Sequence, residues 1–189
     1  MMKTVNTTTR DRVGDVTSES VQVIFPVVVN PKPKALIVHC ADVRFRKAFR
    51  NFIEGDGAKG CLGFKEDEYV NLVIPGGVSC FTDVITLSKQ FKVAKDQIEF
   101  LLKHFPTIGT VILINHEDCA AYKFLQEKIG SMFLRRFVSL LDRQKVDLIS
   151  TAKTVLEMDF VKANIRLFMA KFANPEHTQV VFNEITVTK

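Results

Sequence analysis

Hydrophobic residues in this 189-residue chain follow two patterns: short unbroken runs, and longer stretches with a period between three and four. The runs Ala35-Leu-Ile-Val38 and Val111-Ile-Leu-Ile114 have no polar interruption, which suits strands covered on both faces of a parallel sheet. Tyr69-Val-Asn-Leu-Val-Ile74 reads as another strand, ended by Pro75-Gly-Gly77, a turn that lets backbone pass close to a site. Phe45, Phe49 and Phe52 lie at helical intervals among Arg46, Lys47 and Arg50, so a short amphipathic helix is expected from about Arg44 to Ile53, stopping at Gly55-Asp-Gly57. Val84, Leu87, Phe91, Ala94, Ile98, Leu101 and Phe105 alternate three and four apart and predict a long helix that buries one face; Pro106 and Gly109 stop it. Beyond Cys119 the expectation is helices at about 120–129, 132–145 and 159–173, then a final strand over 178–187.

The order strand, helix, strand, long helix, strand implies an α/β fold with crossover connections and a mainly parallel sheet. Met1 to Ser20 is polar and reads as a flexible N-terminal arm, while residues 21–189 read as a single domain. Within it, Val21 to Asn30 is expected to be extended, and Pro31-Lys-Pro33 to form a stiff entry into the first core strand. No internal repeat or low-complexity segment is visible.

Composition narrows the functional classes. At 47% hydrophobic and 25% charged, the chain can bury one good core. Its longest apolar run, Val21 to Val29, carries Gln22 and is broken by Pro26, so no membrane span is expected, and the polar first twenty residues do not resemble a secretory signal. A cytoplasmic location follows as the expectation, and there four cysteines (40, 61, 80, 119) suit metal chemistry better than disulfides. The net charge of +5 is scattered without a nucleic-acid motif, so it reads as solubility, with a basic rim able to attract small anions. The phenylalanines of the first helix read as a buried stripe and not as a base-stacking platform.

The candidate chemistry lies where two of the apolar runs end. Cys40-Ala-Asp-Val-Arg44 closes one run and His116-Glu-Asp-Cys119 closes another. Carboxyl ends of parallel strands are where open α/β sheets bind ligands. Cys40, His116 and Cys119 together make a three-ligand zinc (Zn2+) set with the fourth position open, as in catalytic sites, provided the two strands are neighbours. Taken singly, each cysteine is more often a small buried hydrophobe, and the histidine a polar group at a strand end. The combination with His-x-x-Cys spacing shifts the balance to metal.

These motifs resemble those of the β-class carbonic anhydrases, particularly their short prokaryotic branch: Cys-x-Asp-x-Arg at 40–44, a Gly-Gly turn at 76–77, and His-x-x-Cys at 116–119. The resemblance spans about Lys34 to Tyr122. It implies a Rossmann-like α/β subunit, an open sheet with a mainly parallel core flanked by helices, paired as a homodimer or a higher even-numbered oligomer. It also implies zinc held by Cys40, His116 and Cys119, with Asp42 beside the metal and Arg44 paired to it. The activity implied is reversible hydration of carbon dioxide to bicarbonate and a proton. In that role Asp42 can accept the hydrogen of the attacking hydroxide and aim its lone pair, while Arg44 forks onto Asp42 and keeps it off the metal. Val43, Ala120 and Ile74-Pro75 depart from the family's usual serine, glycine and Arg-Asn. Two other readings therefore remain: hydrolysis of another small linear substrate such as carbon disulfide or carbonyl sulfide, and a catalytically silent zinc-binding role in assembly or regulation. The glycine-bearing segment from Arg44 to Glu68 is also longer than in compact members.

The remaining candidates have plainer explanations. His39 should point away from Cys40 and make an ordinary hydrogen bond. Cys61 and Cys80 lack ligand spacing, His104 sits at a helix end, and His177 lies in a turn after Asn174-Pro175. Glu117 and Asp118 read as solvated loop carboxylates that could also serve as acceptors around the metal site.

Overall fold

The computed structural model of the chain describes residues 25–55, 59–81, 88–129, 139–158 and 161–186. Residues 31–189 form one compact unit, and the preceding residues belong to another. Of the expected extended segment, Phe25 to Asn30 carries no strand or helix and exposes Phe25, Val27, Val28 and Val29. The arm expected over residues 1–20 lies outside the described residues.

Five strands build the sheet: β1 (Ala35–Cys40), β2 (Tyr69–Ile74), β3 (Thr110–His116), β4 (Asn164–Phe172) and β5 (Val180–Glu184). They lie in the order β2-β1-β3-β4-β5, with every neighbouring pair parallel except the antiparallel β4–β5 edge. Among the described residues the helices are α1 (Arg46–Glu54), α2 (Ser88–His104), α3 (Ala120–Ile129) and α4 (Leu140–Leu156), with a short 3-10 turn at Gly77–Phe81. The fold is thus the expected α/β class.

Why β1 and β3 are unbroken apolar runs is visible in the layers. Leu36, Val38, Val111 and Leu113 face one core with α2 and α4, while Ala35, Ile37, Ile112 and Ile114 face the other with Phe45, Phe49 and Phe52. Alternate side chains enter opposite layers, so no polar residue is tolerated in mid-strand. Each fully buried aliphatic or aromatic side chain here contributes about 1.5–3 kcal/mol of transfer free energy. Helix α1 ends at Glu54, and its C-cap must be glycine: a Cβ on Gly55 would lie 2.5 Å from Asn51 O and 2.6 Å from Cys61 Sγ.

Three expectations need correction or trimming. The helix expected at 159–173 is strand β4 over Asn164–Phe172, paired with β3 and β5 and buried over its centre, Leu167 to Ala170. Val161, Ile165, Phe168 and Phe172 happen to recur at helical intervals, but pairing on both sides overrides that local spacing. The helix expected at 132–145 is α4, which begins at Leu140 and continues to Leu156; residues 130–138 lie outside the description. Ser139 caps it by accepting from Asp142 N. The last strand is shorter than expected, Val180–Glu184, and the first turn of the expected long helix falls at residues 82–87, which are not described.

The layout places the site. β1 and β3 are adjacent and parallel, with His39 opposite Ile114, so Cys40 and His116 close neighbouring strands at the same end of the sheet. α1 leaves from one strand end and α3 from the other.

Candidate metal centre

Cys40, His116 and Cys119 come together at that end, all buried, with one donor atom from each lying within 4.8 Å of the others. The two Sγ atoms are 3.8 Å apart. That is far beyond a disulfide bond, and it equals the roughly 3.8 Å edge that two Zn–S bonds of about 2.3 Å subtend at a tetrahedral angle.

His116 Nδ1 lies 2.8 Å from the Glu117 carbonyl oxygen. A carbonyl only accepts, so Nδ1 carries the ring proton and Nε2 presents its lone pair. This Nε2 is buried and has no hydrogen-bond partner among the described residues. A buried nitrogen lone pair facing two thiols is costly without an occupant and suits a soft, tetrahedral cation. The residues therefore fit zinc.

The electrostatics agree. The Cys40 thiol is pulled well below its ordinary range, first by the hydrogen bond from Cys119 and further by the Gly76 N–H, against the cost of burial. Cys119, facing that charge and itself buried, is pushed up. The Gly76 N–H stands 3.2 Å from Cys40 Sγ. That approach needs the turn Pro75-Gly-Gly77: Gly76 has φ +83 and Gly77 φ +57, and a Cβ on Gly76 would lie 2.2 Å from Ser79 Oγ.

Asp42 and Arg44 flank the triad. Arg44 Nη2 donates to Asp42 Oδ2 at 2.7 Å and its Nε reaches both carboxylate oxygens. The guanidinium holds Asp42 below the usual carboxylate range, although partial burial opposes this. Asp42 Oδ2 also lies 4.0 Å from His116 Nε2, so it borders the space the three donors share. Asp118, expected as a solvated loop carboxylate, instead clamps Arg44: Nη1 donates to Asp118 Oδ2 at 2.7 Å and Nη2 to its carbonyl oxygen at 2.9 Å. Lys123 also pairs with Asp118, and these two cations bring it to about 2, Lys123 first. Asp118 adopts φ 55, a left-handed conformation that turns the loop toward Arg44. Nothing in its local sequence announces a partner 74 residues away.

The other candidates fall as follows. His39 Nδ1 pairs with the Cys40 carbonyl oxygen and its ring packs on Phe49, an ordinary role as expected. Glu117 accepts from Phe172 N, tying the loop between His116 and Cys119 to β4. His177 stacks on Phe172 in its turn. Cys80 donates to Gly77 O and Cys61 is free and half-buried, both away from the triad. Sequence reasoning missed Asn115, a polar residue closing an apolar run, which proves to be buried and bonded on both ends of its amide. A cleft of about 580 Å³ opens onto Cys40, Asp42, Arg44 and Cys119, with Val43, Pro75 and Ala120 among its walls. Val43 is 80% exposed, so it stands at the rim and does not crowd the donors.

The sequence matches no protein-family model and no curated protein. Solved structures do match. The carbonic anhydrase of Streptococcus mutans superposes with a TM-score of 0.52 at 14% identity, covering 86% of this chain and 88% of that one. The β-carbonic anhydrase CafA of Aspergillus fumigatus gives 0.51 at 13% identity, covering 84% and 77%. The chain therefore has the β-carbonic anhydrase fold, at great sequence distance from both.

Proposed function

We propose that this chain is a divergent β-carbonic anhydrase, a carbonate dehydratase that hydrates carbon dioxide reversibly to bicarbonate and a proton, with zinc held by Cys40, His116 and Cys119. The observation that carries the reading is the unpartnered, buried Nε2 of His116, which shares a space with two thiols and borders a carboxylate restrained by an arginine. Zinc bound there would bring the proton loss of water from 15.7 down to about 7, less strongly with two anionic thiolates than with neutral ligands.

The chain's own residues do the rest. Asp42 accepts a hydrogen from the attacking water or hydroxide, which turns an oxygen lone pair toward the carbon of carbon dioxide. Arg44 holds the Asp42 carboxylate through its Nε and Nη2, so Asp42 serves as acceptor and not as a fourth ligand. Asp118 in turn orients Arg44. The new bond joins oxygen to carbon, one carbon–oxygen π bond opens onto oxygen, and the proton passes to buffer. We further infer a homodimer or higher even-numbered oligomer. β2 lies at the edge of the described sheet with Val73 exposed, a surface that a second copy can cover.

Metal analysis and stopped-flow hydration of carbon dioxide test the reading. About one zinc per chain is expected, bound by two sulfurs and one nitrogen, with loss of metal in Cys40→Ser, His116→Ala and Cys119→Ser. Stoichiometric zinc retained in all three variants would remove the ligand assignment. A zinc-loaded protein with no hydration above buffer between about pH 6.5 and 9 would remove the activity.

A further inference from the structure

Asn115 ties together the end of β3, the start of α3 and the 76–78 turn whose Gly76 N–H meets Cys40. Its side chain is 1% exposed, and chemistry fixes which way the amide points. Oδ1 lies 3.3 Å from the Val78 N–H, which only donates; Nδ2 lies 3.2 Å from the Gln144 carbonyl oxygen, which only accepts. Nδ2 also donates to the Tyr122 hydroxyl at 3.1 Å, and that hydroxyl donates onward to Asp147 Oδ2 at 3.0 Å. Both N–H groups of the amide and one lone pair of its oxygen are thereby used.

The partners are what give this position meaning. Val78 belongs to the turn whose Gly76 N–H donates to Cys40 Sγ. Tyr122 stands in the first turn of α3, three residues after Cys119. His116 is the next residue along the strand, and its carbonyl oxygen accepts from Gln144 Nε2 at 2.9 Å, so the residue whose carbonyl holds Asn115 also holds His116. The fit is close: a Cβ on Gly77 would lie 2.7 Å from Asn115 Oδ1, so the glycine and the amide require each other. A hydrophobic residue would fill the same volume yet leave the Val78 N–H and the Gln144 carbonyl without this partner.

We infer that Asn115, supported by Gln144, is a positioning residue that sets the geometry of the Cys40–His116–Cys119 donor set, by locking the 76–78 turn, the end of β3 and the start of α3 to one another. The inference rests on the metal reading above. Outer partners of metal ligands change affinity by roughly 10- to 100-fold when removed, because ligands that wander cost binding.

The test uses full-length protein with zinc, and separately with cobalt(II) in its place. Asn115→Leu should release zinc to a chromogenic chelator about 10-fold faster or more than the parent, and should shift the visible cobalt bands that report tetrahedral geometry. Val155→Ala, which opens a gap in the core on α4 away from the triad, serves as the stability control. It should lower the melting temperature while leaving release and bands as in the parent. If Asn115→Leu does not fold, Gln144→Met, which removes the bond to the His116 carbonyl, is read by the same criteria. Zinc release and cobalt bands that match the parent, or that move no further than in Val155→Ala, would overturn the inference. A parent protein that binds no zinc would instead overturn the metal reading, and the inference with it.

Discussion

Two polar clusters flank the buried triad, and they are built on opposite terms. On the open side, Asp42, Arg44, Asp118 and Lys123 form a chain of ion pairs whose cations are about half exposed. On the closed side, Asn115, Tyr122, Gln144, Asp147 and Arg143 are each at most 4% exposed and sit beneath the 76–78 turn. Exposed ion pairs contribute about 0–1 kcal/mol to folding, so the open cluster can be altered without unfolding the chain. Buried ones cannot be broken cheaply. Under the proposed function the contrast assigns tasks: charge that would orient a reacting molecule sits where water reaches it, and groups that hold geometry sit where nothing competes for their hydrogen bonds.

The largest effect should therefore come from the closed side, and on stability. Arg143 Nε pairs with Asp147 Oδ1 at 2.9 Å with both side chains nearly fully buried. Removing one partner of such a pair costs roughly 3–5 kcal/mol, because the other charge stays out of water. Asp147→Leu should lower the unfolding free energy by about that amount in denaturant titration. A single-variant loss under about 1 kcal/mol would show that the cluster does not carry the burial cost argued here.

On the open side the order reverses, with activity falling while stability holds. On the proposed function, Arg44→Ala should keep zinc and melting temperature but reduce carbon dioxide hydration on the order of 100-fold, because Asp42 would be free to move onto the metal. The bound zinc should then gain a carboxylate oxygen neighbour, readable by X-ray absorption. Asp118→Asn removes one charge from the clamp but keeps the carbonyl contact to Arg44, so a loss of about 10-fold is expected. An Asp118→Asn variant as impaired as Arg44→Ala would mean that Asp118 contributes more than orientation of Arg44.

How much of this could be read along the chain depends on where the partners lie. β1 and β3 were legible because both faces are buried, which leaves no polar residue in mid-strand. The triad was legible because its spacing is local at 116–119 and the third donor closes an equivalent run. β4 was misread because Val161, Ile165, Phe168 and Phe172 imitate a helical stripe, and only the pairing with β3 and β5 decides otherwise. Asp118 and Asn115 were opaque for a related reason. Beyond the nearby Lys123 and Tyr122, their partners stand 74 residues away for Asp118 and 37 and 29 away for Asn115, so a loop acid and a strand-end amide carry no local mark of those contacts.

The smallest effect sharpens the comparison through pH. The chain has two tyrosines, one in the closed cluster and one outside it. Tyr122 is fully buried beside Asp147, and burial first, then that carboxylate, pushes its phenol well above the ordinary 10. Tyr69 is half-buried on β2 and donates to Glu54 Oε1 at 2.6 Å; burial and then Glu54 push it up to about 12. Both shifts favour the neutral phenol in the folded state. Their contribution to stability is present in full below about pH 10, and is lost as pH rises through 10 toward 12, where the unfolded chain releases protons that the folded chain keeps. In a titration followed by phenolate absorbance, neither tyrosine should ionise near pH 10 while the protein is folded. Tyr69 should titrate near pH 12, in a step that Tyr69→Phe removes, whereas Tyr122 should ionise only with loss of the folded circular-dichroism signal. A Tyr122 that ionised at or below the Tyr69 midpoint, with the fold intact, would show that water reaches the closed cluster and would erase the distinction between the two sides of the triad.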